Sequence, residues 1–116
     1  MCGLVGAWRY DAGQVDHSAL ELMLAPIGHR GPDGSGTWHN RRVALGHLRL
    51  SIIDLSNASS QPMLTEDGTG VLTYNGEVYN YRELRHELER EGCKFRTSGD
   101  TEVVLQALHQ WGVERS

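Results

Sequence analysis

The stretch Cys2-Gly3-Leu4-Val5-Gly6-Ala7-Trp8-Arg9-Tyr10 is apolar and spaced by glycines, and it reads as a buried strand at the head of the chain. Strand-like and helix-like segments alternate after it, which predicts an α+β fold. Asp16 is placed to cap a helix carrying Leu20, Met23, Leu24 and Ile27 at three-to-four spacing. Pro26 should kink or end that helix, because an interior proline loses a hydrogen bond and clashes with the preceding turn. His29-Arg30-Gly31-Pro32-Asp33-Gly34 is dense in turn formers and reads as a loop. Val43 to Leu50 and Gly70 to Tyr74 read as strands, with Asp67-Gly68 as a hairpin turn. Asn80 opens a helix with Glu83 completing a capping box, with Tyr81, Leu84 and Leu88 on one face and Gly92 as its stop. A short strand at Lys94–Arg96 precedes a last helix, opened by Asp100 or Thr101, aligning Val104, Leu108 and Trp111 and ending near Gly112. No repeat, low-complexity tract or linker breaks the pattern, so one domain is expected.

With 116 residues, the chain can bury a modest core. A net charge of −4 argues against nucleic-acid binding, and the longest basic cluster is the pair Arg41-Arg42. Nothing resembles a membrane span or a signal peptide. Cys2 and Cys93 do not make a disulfide framework, so a reducing, cytoplasmic setting is expected.

Three places carry potential chemistry. Removal of Met1, which a small neighbouring side chain normally permits, leaves Cys2 with both a thiol and a free α-amine. That amine titrates near pH 7.7–8.0, at about the value of an ordinary terminus, and can act as the base for its own thiol. The alternative is a small apolar residue opening a strand. Asn75-Gly76 in Tyr74-Asn75-Gly76-Glu77 offers a side-chain amide beside a backbone N–H, the donor pair of an oxyanion hole, or else an ordinary Asn-Gly turn. Arg49, in the apolar run His47-Leu48-Arg49-Leu50, either snorkels to the surface or awaits a carboxylate.

Other features read as structural. The histidines at 17, 29, 39, 47, 86 and 109 lack the paired spacing of a zinc site, so no metal is expected. Cys93 reads as a small buried residue. The His29–Asp33 loop is expected to position its surroundings. Arg82, Glu83, Arg85, Glu87, Glu89 and Arg90 read as a solvated helix face.

Six motifs together resemble the class II glutamine amidotransferase domain, in the form found in glutamine-dependent asparagine synthetases of the bacterial B type. They are Met1-Cys2-Gly3-Leu4-Val5-Gly6, His29-Arg30-Gly31-Pro32-Asp33-Gly34, Leu48-Arg49-Leu50-Ser51-Ile52-Ile53-Asp54, Gln61-Pro62-Met63, Tyr74-Asn75-Gly76-Glu77-Val78-Tyr79-Asn80 and Ser98-Gly99-Asp100-Thr101-Glu102. They run in the family's order over nearly the whole chain.

The resemblance implies an N-terminal-nucleophile hydrolase fold, a four-layer αββα sandwich, hydrolysing L-glutamine to glutamate and ammonia. Carried over residue by residue, Cys2 is the nucleophile, and Asn75 and Gly76 form the oxyanion hole. Arg49 grips the substrate α-carboxylate, Leu50, Ser51, Ile52 and Ile53 line the glutamine site, and Glu77 and Asp100 surround the α-ammonium. The glutaminase half needs no cofactor. ATP and Mg belong to a synthetase domain, acting in cis or in trans, that amidates aspartate in the full-length enzyme.

No Ser-Gly-Gly-x-Asp-Ser nucleotide loop of that synthetase domain is present in these residues. Residues 1–116 are therefore expected to be the N-terminal part of the amidotransferase domain, with the sandwich incomplete. Uncovered sheet edges would make the piece poorly stable, or have it pair with itself or a partner. A non-catalytic fragment that binds glutamine or a partner subunit is the alternative reading.

Overall fold

Antiparallel pairing organises the first half of the chain around one central strand. β1 (Gly3–Trp8) and β3 (Val43–Arg49) pair from Gly3↔Leu48 to Trp8↔Val43. On the other side, β2 (Gly34–His39) pairs with β3 from Gly34↔Arg49 to His39↔Ala44, giving the order β1-β3-β2. The computed structural model describes residues 2–50 and 60–116. These fall into two units: 2–50 with Ser60–Pro62 and Thr73–Asn75, and Met63–Leu72 with Gly76–Ser116.

In the first unit, side chains alternate across the sheet. Ala44, Gly46 and Leu48 are buried on one face, where Leu24 of α1 (Ala19–Leu24) packs close against Gly46. The opposite face carries His47 and Arg49. β1 is covered on one side only. Gly3 is buried, whereas Leu4 and Trp8 are 44% and 71% exposed, so the wholly buried strand expected from composition is a one-faced edge strand.

Asp16 is not the cap expected of it: Ser18 is the N-cap of α1 and makes no side-chain cap bond, while one Asp16 carboxylate oxygen accepts from the Ser18 N–H (3.1 Å) and hydroxyl (2.6 Å) just ahead of the helix. The α-helix stops before Pro26, and a 3-10 helix continues over Ala25–Arg30 with that proline in its first turn, where its missing N–H is not needed.

The second unit holds a short hairpin and two helices. β4 (Met63–Leu64) and β5 (Val71–Leu72) pair antiparallel around the expected Asp67-Gly68 turn, with Gly68 at φ +72°. The Asp67 carboxylate accepts from the Thr65 hydroxyl (2.6 Å) and from the N–H of Thr69 (3.0 Å).

α2 (Tyr81–Arg90) ends in a Schellman motif. The Cys93 N–H donates to Leu88 (3.0 Å), the Gly92 N–H to Glu89 (3.0 Å), and Gly92 takes φ +98°. The expected capping box is not formed, since the Asn80 side chain makes no cap bond. α3 (Asp100–Trp111) packs Val103 and Ala107 against Leu88, with Tyr81, Leu84, Phe95 and Trp111 around them.

No strand forms at Lys94–Arg96. Instead, the Arg96 and Thr97 N–H groups point at the buried carboxylate of Glu102 (3.0 and 2.7 Å), which also accepts from the Thr97 hydroxyl (2.8 Å). Nor is Arg85 part of a purely solvated face. It is half-buried, donates to the Thr97 carbonyl (2.6 Å) and lies over the Phe95 ring at 4.5 Å.

Candidate active site

Cys2 stands immediately before β1, so the register that pairs Gly3 with Leu48 carries it to the Arg49–Leu50 end of β3. There the Leu50 N–H donates to Sγ (3.2 Å), and Sγ lies 3.6 Å from the Leu50 carbonyl. Among the described residues, the thiol is thus held at the end of the central strand by the main chain of Leu50.

The backbone of the same residue is held separately. The carbonyl oxygen of Cys2 accepts from the Asn75 side-chain Nδ2 at 3.0 Å and from the Arg30 Nε at 3.4 Å. An amide nitrogen carries two hydrogens, so Asn75 keeps a second donor beyond the one it spends on this carbonyl.

The loop before β2 braces the end of β3. Gly31 is buried against the main chain of Leu48 and Arg49, and the Asp33 N–H donates to the Arg49 carbonyl (3.0 Å). This is the positioning role expected of the His29–Asp33 segment. Arg30 adds the contact to Cys2 that the sequence reading did not assign.

The chain leading into Asn75 is tied to the same unit. The Tyr74 N–H donates to Gln61 Oε1 (2.6 Å), and the Thr73 hydroxyl lies 2.8 Å from His47 Nδ1. His47 is 1% exposed, and burial together with the neighbouring Arg49 charge lowers its pKa to about 4.

Of the site residues read from the sequence, the first unit brings together Cys2, Leu50 and Asn75, with Arg49 adjoining on β3. Ser51, Ile52 and Ile53 lie outside the described residues. In the second unit Gly76 and Glu77 are exposed, while Asp100 is buried at the start of α3. One Asp100 oxygen accepts from the Val78 N–H (2.9 Å), which ties α3 to the segment preceding α2.

Among the described residues there is no cluster of three metal-ligating side chains and no helix long and apolar enough to cross a membrane. Cys93 is half-buried, and burial with Glu91 nearby pushes its thiol pKa up.

A nucleophile candidate at the second residue, its carbonyl held by the Asn75 side chain, agrees with what family comparison finds. The model of the glutamine amidotransferase domain matches residues 1–116. The chain belongs to the glutamine amidotransferase domain family.

Relatives of this amidotransferase domain include asparagine synthetase [glutamine-hydrolyzing] 1 of Bacillus subtilis, 43% identical over 98% of the chain. Asparagine synthetase B [glutamine-hydrolyzing] of Escherichia coli is 40% identical over 98% of it. A third, amidase chry2 of Gibberella zeae, is 43% identical over 89%. The amidotransferase chain spans 18% and 20% of the length of the two synthetases and 15% of the amidase.

The contacts around the site that the sequence reading did not assign are those of His47, Thr73, Gln61 and Arg30. Gln61 and Arg30 stand inside family-like motifs, which was signal enough to ask what they hold. His47 and Thr73 are 26 residues apart and give no linear cue.

Proposed function

We propose that this chain is the glutaminase half of an asparagine synthetase-like amidotransferase, releasing ammonia from L-glutamine through a Cys2 thioester. The observation that carries the reading is the Asn75 amide seated on the Cys2 carbonyl while Leu50 holds the sulfur, all beside Arg49.

In this reading Cys2, freed of Met1, attacks the side-chain amide carbon of glutamine as the thiolate. The C–N bond breaks, and the leaving nitrogen takes the proton passed on by the Cys2 α-amine, directly or through water. Water then hydrolyses the thioester, giving glutamate and restoring the thiol. Both steps pass through an oxyanion, for which the second N–H of Asn75 and the backbone N–H of Gly76 are the donors. A zwitterionic substrate needs a cation and anions set apart. Arg49 supplies the first for the α-carboxylate, and Glu77 and Asp100 the second for the α-ammonium. Leu50 to Ile53 line the glutamine site.

The mixed helices and small antiparallel sheets are compatible with an N-terminal-nucleophile hydrolase, whose complete form is an αββα sandwich. The names of the relatives support aspartate as the ammonia acceptor in a full-length enzyme. That reaction is assigned to a synthetase domain, in cis or trans, together with ATP and Mg. Cytoplasmic location and self-association as a homodimer belong to the same proposal.

Ammonia and glutamate release from glutamine tests it, with a Cys2→Ala control and mass spectrometry of the N-terminus. Release that vanishes in Cys2→Ala is expected. A folded, Met1-free protein with no Cys2-dependent release overturns the reading.

A further inference from the structure

His47 sits at a position where an aliphatic residue would be simpler to bury. It lies in the middle strand of the sheet and is 1% exposed, with Leu4 and Gly36 as its register partners. Among the described residues its Nε2 is buried without a hydrogen-bond partner, an arrangement that costs free energy. Its other nitrogen, Nδ1, lies 2.8 Å from the Thr73 hydroxyl.

Alternation puts His47 on the same face of β3 as Arg49, and antiparallel pairing puts Cys2 on that face of β1. Gln61 passes over this face as well, since a side chain at Gly36 would run into the Gln61 carbonyl. The segment Thr73–Asn75 is therefore held at three successive residues. His47 takes Thr73, Gln61 takes the Tyr74 N–H (2.6 Å), and the Cys2 carbonyl takes the Asn75 amide (3.0 Å).

We propose that His47 is a positioning residue for glutamine hydrolysis: through Thr73 it sets where the Asn75 amide stands relative to Cys2. The proposal rests on the roles given above to Cys2 and Asn75. It accounts for the proton arrangement too. A proton on Nδ1 donates to the Thr73 oxygen and leaves Nε2 as a bare acceptor, whereas a charged ring would bury an N–H with no acceptor. Burial and the Arg49 charge both favour the neutral ring.

The test compares His47→Leu, His47→Asn, His47→Gln and Thr73→Val in a steady-state glutaminase assay, with melting curves and the side-chain amide resonances of Asn75 as further readouts. Misplacing a catalytic donor is costly, so Thr73→Val and His47→Leu should lower kcat by about tenfold or more, with KM for glutamine little changed. The Asn75 amide resonances should shift in both variants. His47→Asn, whose amide nitrogen reproduces the place of Nδ1, should regain part of that rate, and His47→Gln, which reproduces Nε2, should not. Adding Thr73→Val to Asn75→Ala should cost little more, because both act through one donor.

Unchanged kcat in folded Thr73→Val, or an unmoved Asn75 resonance in an active enzyme, overturns the role of His47 alone. Absence of Cys2-dependent turnover in the wild type overturns the glutaminase reading and with it any catalytic meaning of His47.

Discussion

The Asn75 side-chain amide donates to the carbonyl oxygen of Cys2 over 3.0 Å, joining residues 73 positions apart. The donor is thereby referenced to the backbone of the nucleophile and not to its sulfur, so the thiol can form and break bonds without releasing it. Asn75→Ala should lower kcat for glutamine hydrolysis by about 10²–10³, as removal of one oxyanion donor typically does. KM should change little, which steady-state ammonia release will show.

Glu102 is 0% exposed and gathers the N–H groups of Arg96 and Thr97 and the Thr97 hydroxyl. Its replacement leaves those donors facing a cavity. Glu102→Ala should destabilise the fold by roughly 3 kcal/mol, the scale of losing hydrogen bonds to a buried charge. Glu102→Gln should cost less, because one acceptor oxygen survives. Thermal melts by circular dichroism will rank the two.

His47 predicts an acid limb. Its folded pKa, about 4, lies below the ordinary value of 6.5, so the unfolded chain binds a proton that the folded chain refuses. The resulting stability is present above pH 6.5 and is lost as pH falls toward 4. Titratable groups on this face of the sheet and in the segments over it are Arg49, Cys2 with its freed α-amine, and Tyr74 among the described residues. Melting temperature should fall between those two pH values in the wild type and fall less in His47→Gln.

Gly31 tolerates no side chain. A methyl there would stand 2.6 Å from the Leu48 carbonyl oxygen and 2.7 Å from the Arg49 nitrogen, main-chain atoms that cannot swing aside. Gly31→Ala should cost about 1–3 kcal/mol, the range for overpacking. It should also lower kcat, since the displaced end of β3 carries Arg49 and Leu50. Melting curves and turnover measured on one preparation will show both losses.

Much of this architecture was legible from local signals. The proline that ends α1, the turn at Asp67-Gly68 and the glycine stop of α2 depend on a residue's own backbone preferences. β2 was not legible, because Gly34-Ser35-Gly36-Thr37-Trp38-His39 has loop composition. It is a strand through pairing with β3, and its Gly36 leaves room for Gln61. Lys94–Arg96 failed for the converse reason, the N–H of Arg96, with that of Thr97 after it, being drawn to a carboxylate where a strand would offer carbonyls. In α3 the expected row of Val104, Leu108 and Trp111 is half-buried and only Trp111 of it joins the cluster around Leu88, where Val103 and Ala107 are buried, because the neighbour decides which apolar stripe is covered. At the site, Cys2, Leu50 and Asn75 were read from motifs. His47 was weighed only against metal-ligand spacing, which is blind to a partner brought close by folding.

The pairing of β1 with β3 makes Cys2 intolerant of length. No loop separates it from the sheet, so a residue deleted within Gly3–Trp8 cannot be absorbed locally. One deletion would turn the thiol to the face that packs on α1, and two would return it to its own face displaced by roughly 7 Å along the strand. A deletion scan of β1 should therefore abolish Cys2 chemistry at every position, whereas single-residue insertions between Trp8 and Val15 should be tolerated, since they leave the counting from Cys2 to Leu50 intact.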